Sequence, residues 1–361
     1  YMFSVVPTGF VPNEDQGVIL GLIQGPDGTA LSLTDKVAAQ VEQIVTEIPE
    51  FKSIFTATGV GLEGSGPNKG LFYATLKTWE ERPHPDQSVD AILKRLNGKF
   101  QAIPDGIVAA FNPPPIPGFG SLGGFELQLQ DRTGGRLTID DFIANVQDII
   151  GRANQKPALG GSVFTQFTAS APQFRIDIDR SKLEALNVDF QQAATTIGAT
   201  LGSQYVNDFT LGQRNYRVYV QADGQYRSSP GDINQLYVRS RDGNMISLGE
   251  IATITPITGP QVISHYNGYR SIKLQGSEAP GFSSGQALQA MDSSVTEAAI
   301  PGIGKDWIGV AREQLAAGNL GILIFVFGLI MVFLTLSAQY ESYIDPMIIL
   351  LTVPLALLGA L

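Results

Sequence analysis

From Leu320 to Ala338 the chain reads LGILIFVFGLIMVFLTLSA, about 19 residues without one charged side chain, enough to carry a helix across a hydrocarbon core of about 30 Å. A helix that is apolar on every face for that distance has no side to turn toward water, so a transmembrane helix is expected over residues 314–338. A short polar break, Gln339-Tyr340-Glu341-Ser342, leads to a second apolar run, Met347 to Leu361 with Pro354 inside it. At about 15 residues that run is too short to span, and it reads as the start (347–361) of a next transmembrane helix in a longer protein. Tyr1 to Val6 lacks the basic start and small-residue cleavage site of a signal peptide. Residues 1–13 are expected to end a preceding transmembrane helix and to lead into the next segment. Everything between Val6 and Leu320 would then lie on one side of the membrane.

Composition narrows the partners. A net charge of -10 selects against nucleic acid, which favours basic surface. With no cysteine, neither disulfides nor thiolate metal sites are available. Two histidines, His84 and His265, are too few for a transition-metal centre or a nucleophile-base pair, and no metal site and no enzyme are expected. The break from Gln339 to Pro346 contains no Lys or Arg, so it gives no orientation by the positive-inside rule.

Between Gln16 and Pro113 the periodicity changes in a fixed order. Val18 to Ile23 reads as a buried strand, and a helix opening at Ser32 or Thr34 keeps Val37, Val41, Ile44 and Ile48 on one face. Phe51 to Thr58 and Gly70 to Thr78 are strand-like runs joined by a glycine-rich link. A second helix capped by Ser88 turns Ile92, Leu93, Leu96 and Phe100 inward, and Ile107 to Phe111 makes a last strand. The order β-α-β-β-α-β is that of a split βαβ, ferredoxin-like unit.

The same order restarts at Phe125, with a strand to Leu129, a helix capped by Thr138 carrying Phe142, Val146 and Ile149, and a strand over Ser162 to Thr168. Its second half arrives late, as Tyr269 to Gln275, a helix with Leu288, Met291 and Val295, and Asp306 to Val310. The intervening stretch has its own strands (Phe174 to Ile178, Tyr216 to Val220, Leu236 to Arg239) and a helix (Phe190 to Leu201), so it is expected to be an inserted subdomain. Two unrelated α+β domains are the alternative. Asp177, Asp179 and Glu184 read as solvated or interface charge, the first two on an exposed strand face.

The strings FVPNEDQG (Phe10 to Gly17), LKTWEERP (Leu76 to Pro83), APQFRIDIDRSKLEALNV (Ala171 to Val188), YVNDF (Tyr205 to Phe209), YVRSRDGNMISLGEIA (Tyr237 to Ala252) and AQYESYIDP (Ala338 to Pro346) run collinearly through the chain. On these the sequence resembles the resistance-nodulation-division (RND) transporters, specifically the hydrophobe/amphiphile efflux pumps of the acriflavine-resistance type. The resemblance implies an α+β fold of two ferredoxin-like porter subdomains, the second interrupted by an α+β docking subdomain, followed by transmembrane helices. In residue terms these are a first porter subdomain at 14–118, a second at 119–170 and 261–313, docking at 171–260, and a cytoplasmic loop at 339–346. It places the chain in a bacterial inner membrane, with residues of about 14–313 in the periplasm. The implied partners are two further copies in a homotrimer, a periplasmic adaptor, an outer-membrane channel, small amphiphilic substrates and membrane lipid. The proton motive force replaces any cofactor. No charged residue occurs in Leu320 to Ala338, so the proton relay is expected on other helices.

Glycine at positions 59, 61, 64 and 66 lets the link Thr58 to Pro67 act as a mobile gate or simply as a surface hairpin loop, and the Walker phosphate pattern is missing from it. The resemblance implies a switch loop here, at Gly59, Gly61, Gly64, Ser65 and Gly66. It places Phe55, Ala57, Val60, Leu62, Leu71 and Tyr73 on the distal-pocket and switch-loop lining, and Leu20, Leu22, Phe125, Leu127 and Leu129 on the cleft and access side. Phe164 stands where a basic cleft residue occurs in the family, Val60 and Leu62 where aromatics occur, and Ser65 where a basic residue occurs. For each side chain ordinary core packing is the other reading. An apolar lining suits varied amphiphiles, because burial of nonpolar area is non-directional. The expected function is the substrate-binding and docking part of a proton-driven drug exporter. The alternatives are an exporter of lipids or other envelope hydrophobes, and a docking module with no transport role of its own.

Overall fold

A computed structural model describes residues 11, 14–62, 64–116 and 118–352, the side chains of 318–323 and 325 excepted. The expected lead-in at 1–13, Val11 apart, and most of the run 347–361 lie outside these residues. The chain divides into two compact units, one formed by residues up to 169 together with those from 260 onward, the other by 170–259.

The first unit begins with β1 (Val18–Gln24), α1 (Leu31–Thr46), β2 (Phe51–Gly61), β3 (Gly64–Leu76), α2 (Val89–Phe100) and β4 (Ile107–Phe111). The four strands form one antiparallel sheet in the order β2-β3-β1-β4. Ile19, Ile23, Phe72 and Ala74 from the sheet bury against Val37, Val41, Ile92, Leu96 and Phe100 from the helices. Full burial of each large side chain contributes about 1.5–3 kcal/mol. Ser88 caps α2 by accepting from Ala91 N, as its sequence position predicts. Helix α1 starts earlier than expected, at Leu31, because Thr34 is buried and donates its hydroxyl to Pro67 O (2.6 Å) instead of capping.

The second sheet is entered through β5 (Phe125–Asp131) and α3 (Ile139–Asn154), the latter capped by Thr138. The expected strand over Ser162 to Thr168 does not form. Only Phe164 pairs, with Gln275, and the flanking backbone is taken up by side chains: Asn154 bonds both N and O of Val163 at 2.9 Å, and Ser162 Oγ donates to Ser277 O (2.6 Å). Main-chain groups satisfied in this way have no need of a ladder partner.

Residues 170–259 contain β6 (Ala171–Ile178), α4 (Arg180–Ala185), α5 (Phe190–Ile197), β7 (Gln204–Leu211), β8 (Arg214–Val220), β9 (Tyr237–Arg239), β10 (Met245–Ser247), α6 (Leu248–Ile251) and β11 (Ala252–Gly259). The pairs β6–β11, β9–β10 and β7–β8 are antiparallel, and a core including Leu183, Ala193, Val238, Leu248 and Ile251 unites the unit. Helix α5 is shorter than predicted, because a π-helical turn, Gly198–Gly202, replaces its end. Asp177 is exposed and bonds Arg175 (3.0 Å). Asp179 is not on the strand. It caps α4 by accepting from Ser181 N and Lys182 N.

The chain then returns through β12 (Ser264–Tyr266), β13 (Tyr269–Gly276), α7 (Ser284–Ala298) and β14 (Ile303–Ile308), completing a sheet ordered β12-β13-β5-β14. β14 ends before the predicted Val310, because Gly309 (φ 61°) turns the chain into α8 (Gly309–Tyr340), which precedes α9 (Ile344–Leu350). Among the described residues no helix is long and apolar enough to cross a membrane. The transmembrane helices expected from the sequence therefore gain no support from the fold: the expected span 314–338 lies within the 32-residue α8, but the side chains of 318–323 and 325 fall outside the described set.

Candidate functional site

Side chains alternate across a strand, so a sheet that buries one face against helices must show the other. The register places Leu20 opposite Tyr73 and Phe111, and Leu22 opposite Leu71 and Ala109; across the hairpin, Phe55 lies opposite Tyr73 and Ala57 opposite Leu71. With Ile19, Ile23, Phe72 and Ala74 taken by the core, all six of Leu20, Leu22, Phe55, Ala57, Leu71 and Tyr73 share the face away from α1 and α2. Tyr73 is 46 % exposed and Phe55 67 %, Leu20, Ala57 and Leu71 are half-buried, and Leu22 is buried, so the row opens to solvent toward β2.

The glycine-rich link is an ordered hairpin in which β2 and β3 continue nearly to the tip. Gly61 pairs with Gly64 and Val60 with Ser65, and a register shift falls between Thr58 and Val60. Gly59 (φ 81°) at that shift and Gly64 (φ 100°) after the turn hold backbone angles that glycine adopts without strain. Val60 is exposed, Leu62 and Gly66 are half-buried, and all stand at the far end of the apolar row.

At the opposite edge lies a cavity of 330 Å³. Leu22, Ile107, Ala109 and Phe111 form the first-sheet wall, and Leu122, Phe164 and three glutamines, Gln24, Gln166 and Gln275, line the rest. The Phe111 and Phe164 rings stack across it, centroids 5.6 Å apart and 17° from parallel. Sequence reasoning named Leu22 and Phe164 but missed Ile107, Ala109 and Phe111. The signal was present: β4 alternates, and those three residues occupy its one face. Nearby, Thr168 Oγ1 (3.1 Å) and Asn68 Nδ2 (3.3 Å) both donate to Asp27 Oδ1.

Phe125, Leu127 and Leu129 are not brought to this surface. They occupy the helix-facing side of β5, packed with Phe142, Val146, Leu288 and Met291, and Leu127 and Leu129 are fully buried. The alternation that hides them turns Glu126, Gln128 and Gln130 the other way. Among the described residues no group of three or more His, Asp or Glu side chains is placed to hold a metal ion.

In residues 170–259 the hairpin β7–β8 is exposed along its whole length, carrying Tyr205, Phe209, Leu211, Tyr216 and Tyr219, with Phe209 stacked on Tyr216 (5.5 Å).

The geometry is that of an open apolar sheet face beside a concave, mostly apolar cavity with a few amide groups. The whole chain, residues 1–361, matches the AcrB/AcrD/AcrF family, and the protein belongs to that family of RND transporters. It is 36 % identical over 363 residues to the multidrug export protein AcrF of Escherichia coli (strain K12), covering 100 % of this chain and 35 % of AcrF. It is 34 % identical to the multidrug resistance protein MdtF of the same strain, and 34 % to the solvent-resistant pump membrane transporter SrpB of Pseudomonas putida, again over the full chain and about a third of each relative. The chain thus spans about a third of the length of these relatives.

Proposed function

We propose that this chain is the substrate-handling portion of a proton-driven RND exporter of hydrophobic and amphiphilic compounds. The observation that carries the reading is the apolar row Phe55, Ala57, Leu71, Tyr73, Leu20 and Leu22, running from the glycine hairpin to the 330 Å³ cavity. An apolar surface of this kind binds by area rather than by hydrogen-bond match, which gives breadth of substrate. In this reading the two four-stranded sheets belong to two split βαβ porter subdomains, residues 170–259 are the docking subdomain, and the hairpin Gly59–Gly66 is the switch element between substrate compartments. The exposed β7–β8 hairpin supports contact with other subunits, since a long apolar edge is otherwise a hazard in water. The assembly is a trimer in the bacterial inner membrane that works with an adaptor and an outer-membrane channel. The uncharged run Leu320 to Ala338 supports a membrane span within α8, with residues of about 14–313 on the periplasmic side.

The test is displacement of the fluorescent hydrophobe N-phenyl-1-naphthylamine from the purified protein in lipid nanodiscs. Saturable binding, displaced by amphiphilic drugs at lower concentration than by short-chain phospholipid, supports drug export. The opposite order supports lipid export, and no saturable binding supports a docking module.

A further inference from the structure

Resting on that reading, we infer that the cavity selects amphiphiles whose head group donates a hydrogen bond, an ammonium above all, through a directed relay that runs Gln166, Gln275, Glu126. The Glu126 side chain is 7 % exposed and lies 3.6 Å from Lys273 Nζ, with Ser121 N donating to its Oε1 at 3.0 Å. Ser121 N and Lys273 Nζ already point donors at this oxygen, and the Gln275 amide presents its NH₂ to the same one, Nε2 lying 3.1 Å from Glu126 Oε1. The Gln275 carbonyl oxygen then faces away, and it receives the Gln166 NH₂ at 3.1 Å. Gln275 is itself 2 % exposed and fixed through its backbone to Phe164, so the chain of amides has one direction only. The end left at the cavity wall is the Gln166 carbonyl oxygen, to which no described residue donates. A mostly apolar cavity therefore offers an acceptor at the end of a hydrogen-bond chain anchored on the buried Glu126–Lys273 pair. Gln166 is the contact residue, and Gln275 and Glu126 position it.

Dodecylammonium and dodecyltrimethylammonium share a chain and a charge, but only the first has N–H donors. Displacement of N-phenyl-1-naphthylamine from the full chain in nanodiscs is expected to show dodecylammonium binding about tenfold tighter, the size of one hydrogen bond to a charged donor. Gln166→Leu, at a half-buried position, brings the ratio to about one, and so does Glu126→Gln, whose new amide lets the relay invert. Equal affinities in the wild type, or a preference that survives Gln166→Leu with an unchanged melting temperature, overturn the relay while leaving the exporter reading intact. Failure of both amphiphiles to displace the probe would remove the relay and the exporter reading together.

Discussion

Arg82 grips Asp15 with both arms of its guanidinium, Nη2 donating to Oδ1 at 2.8 Å and Nη1 to Oδ2, and its Nε donates to Lys77 O at 2.9 Å. The arginine side chain is 2 % exposed and the aspartate 24 %. The pair joins two of the strings that mark the family resemblance, the one ending at Gly17 and the one running from Leu76 to Pro83. It fixes the segment that enters β1 onto the turn that leaves β3. Removing the arginine leaves a half-buried carboxylate without its partner, so Arg82→Ala is expected to cost about 1–3 kcal/mol in urea unfolding. Arg82→Lys recovers only part of this, because an ammonium cannot reproduce the two-pronged contact.

Acid should weaken the fold through two carboxylates. Burial by itself would raise Asp15, but the Arg82 guanidinium, Gly17 N–H and the Trp79 indole outweigh it and hold the group below its ordinary 3.8. At Asp131 burial is likewise outweighed, there by Thr133 and Arg270. A lowered folded value means that the stabilisation is complete above the unfolded pKa and disappears as pH falls through the folded one. The melting temperature should be flat from about pH 7 to 5 and drop below about pH 4. Asp15→Asn and Asp131→Asn should each flatten that drop.

Gly21 faces the ring of Phe72 across the β1–β3 pair, and a Cβ there would run into the ring. Phe72 cannot yield, since it is buried edge-on against Phe100 (5.7 Å, 74°). Gly21→Ala should cost about 1–3 kcal/mol by calorimetry, the range of core overpacking.

Leu129 separates packing from binding. Fully buried beneath α3 and α7, Leu129→Ala should lose about 2–5 kcal/mol of stability. Ligand affinity of the folded fraction should stay within twofold. A tenfold change in affinity would return the β5 leucines to the cleft.

The helices and most strands were legible because their apolar positions repeat at clear periods and Ser88 and Thr138 announce two helix starts. Leu71 and Tyr73 were assigned to the distal-pocket lining and Leu20 and Leu22 to the cleft, and only the strand register joins the two pairs on one face. The burial of Phe125, Leu127 and Leu129 was not legible, because an alternating strand offers two faces and only the tertiary packing chooses which one the helices cover. The lost strand at 162–168 has the same kind of cause: nothing local shows that Asn154 and Ser162 will satisfy its backbone. Ile107 and Phe111 were placed in a strand, and what hid their role was the cavity wall supplied by Phe164 from far along the chain.

The central claim is that the open face of the first sheet binds hydrophobic ligands. Phe55 and Ile107 are 67 % and 74 % exposed, so a charge at either leaves the core untouched. The most direct measurement is a displacement titration with N-phenyl-1-naphthylamine on the full chain in nanodiscs, comparing wild type with Phe55→Asp/Ile107→Asp. Loss of the two apolar contacts should raise Kd at least tenfold, about 1.4 kcal/mol or more, with the melting temperature unchanged. An unaltered Kd in the doubly charged variant would contradict the account.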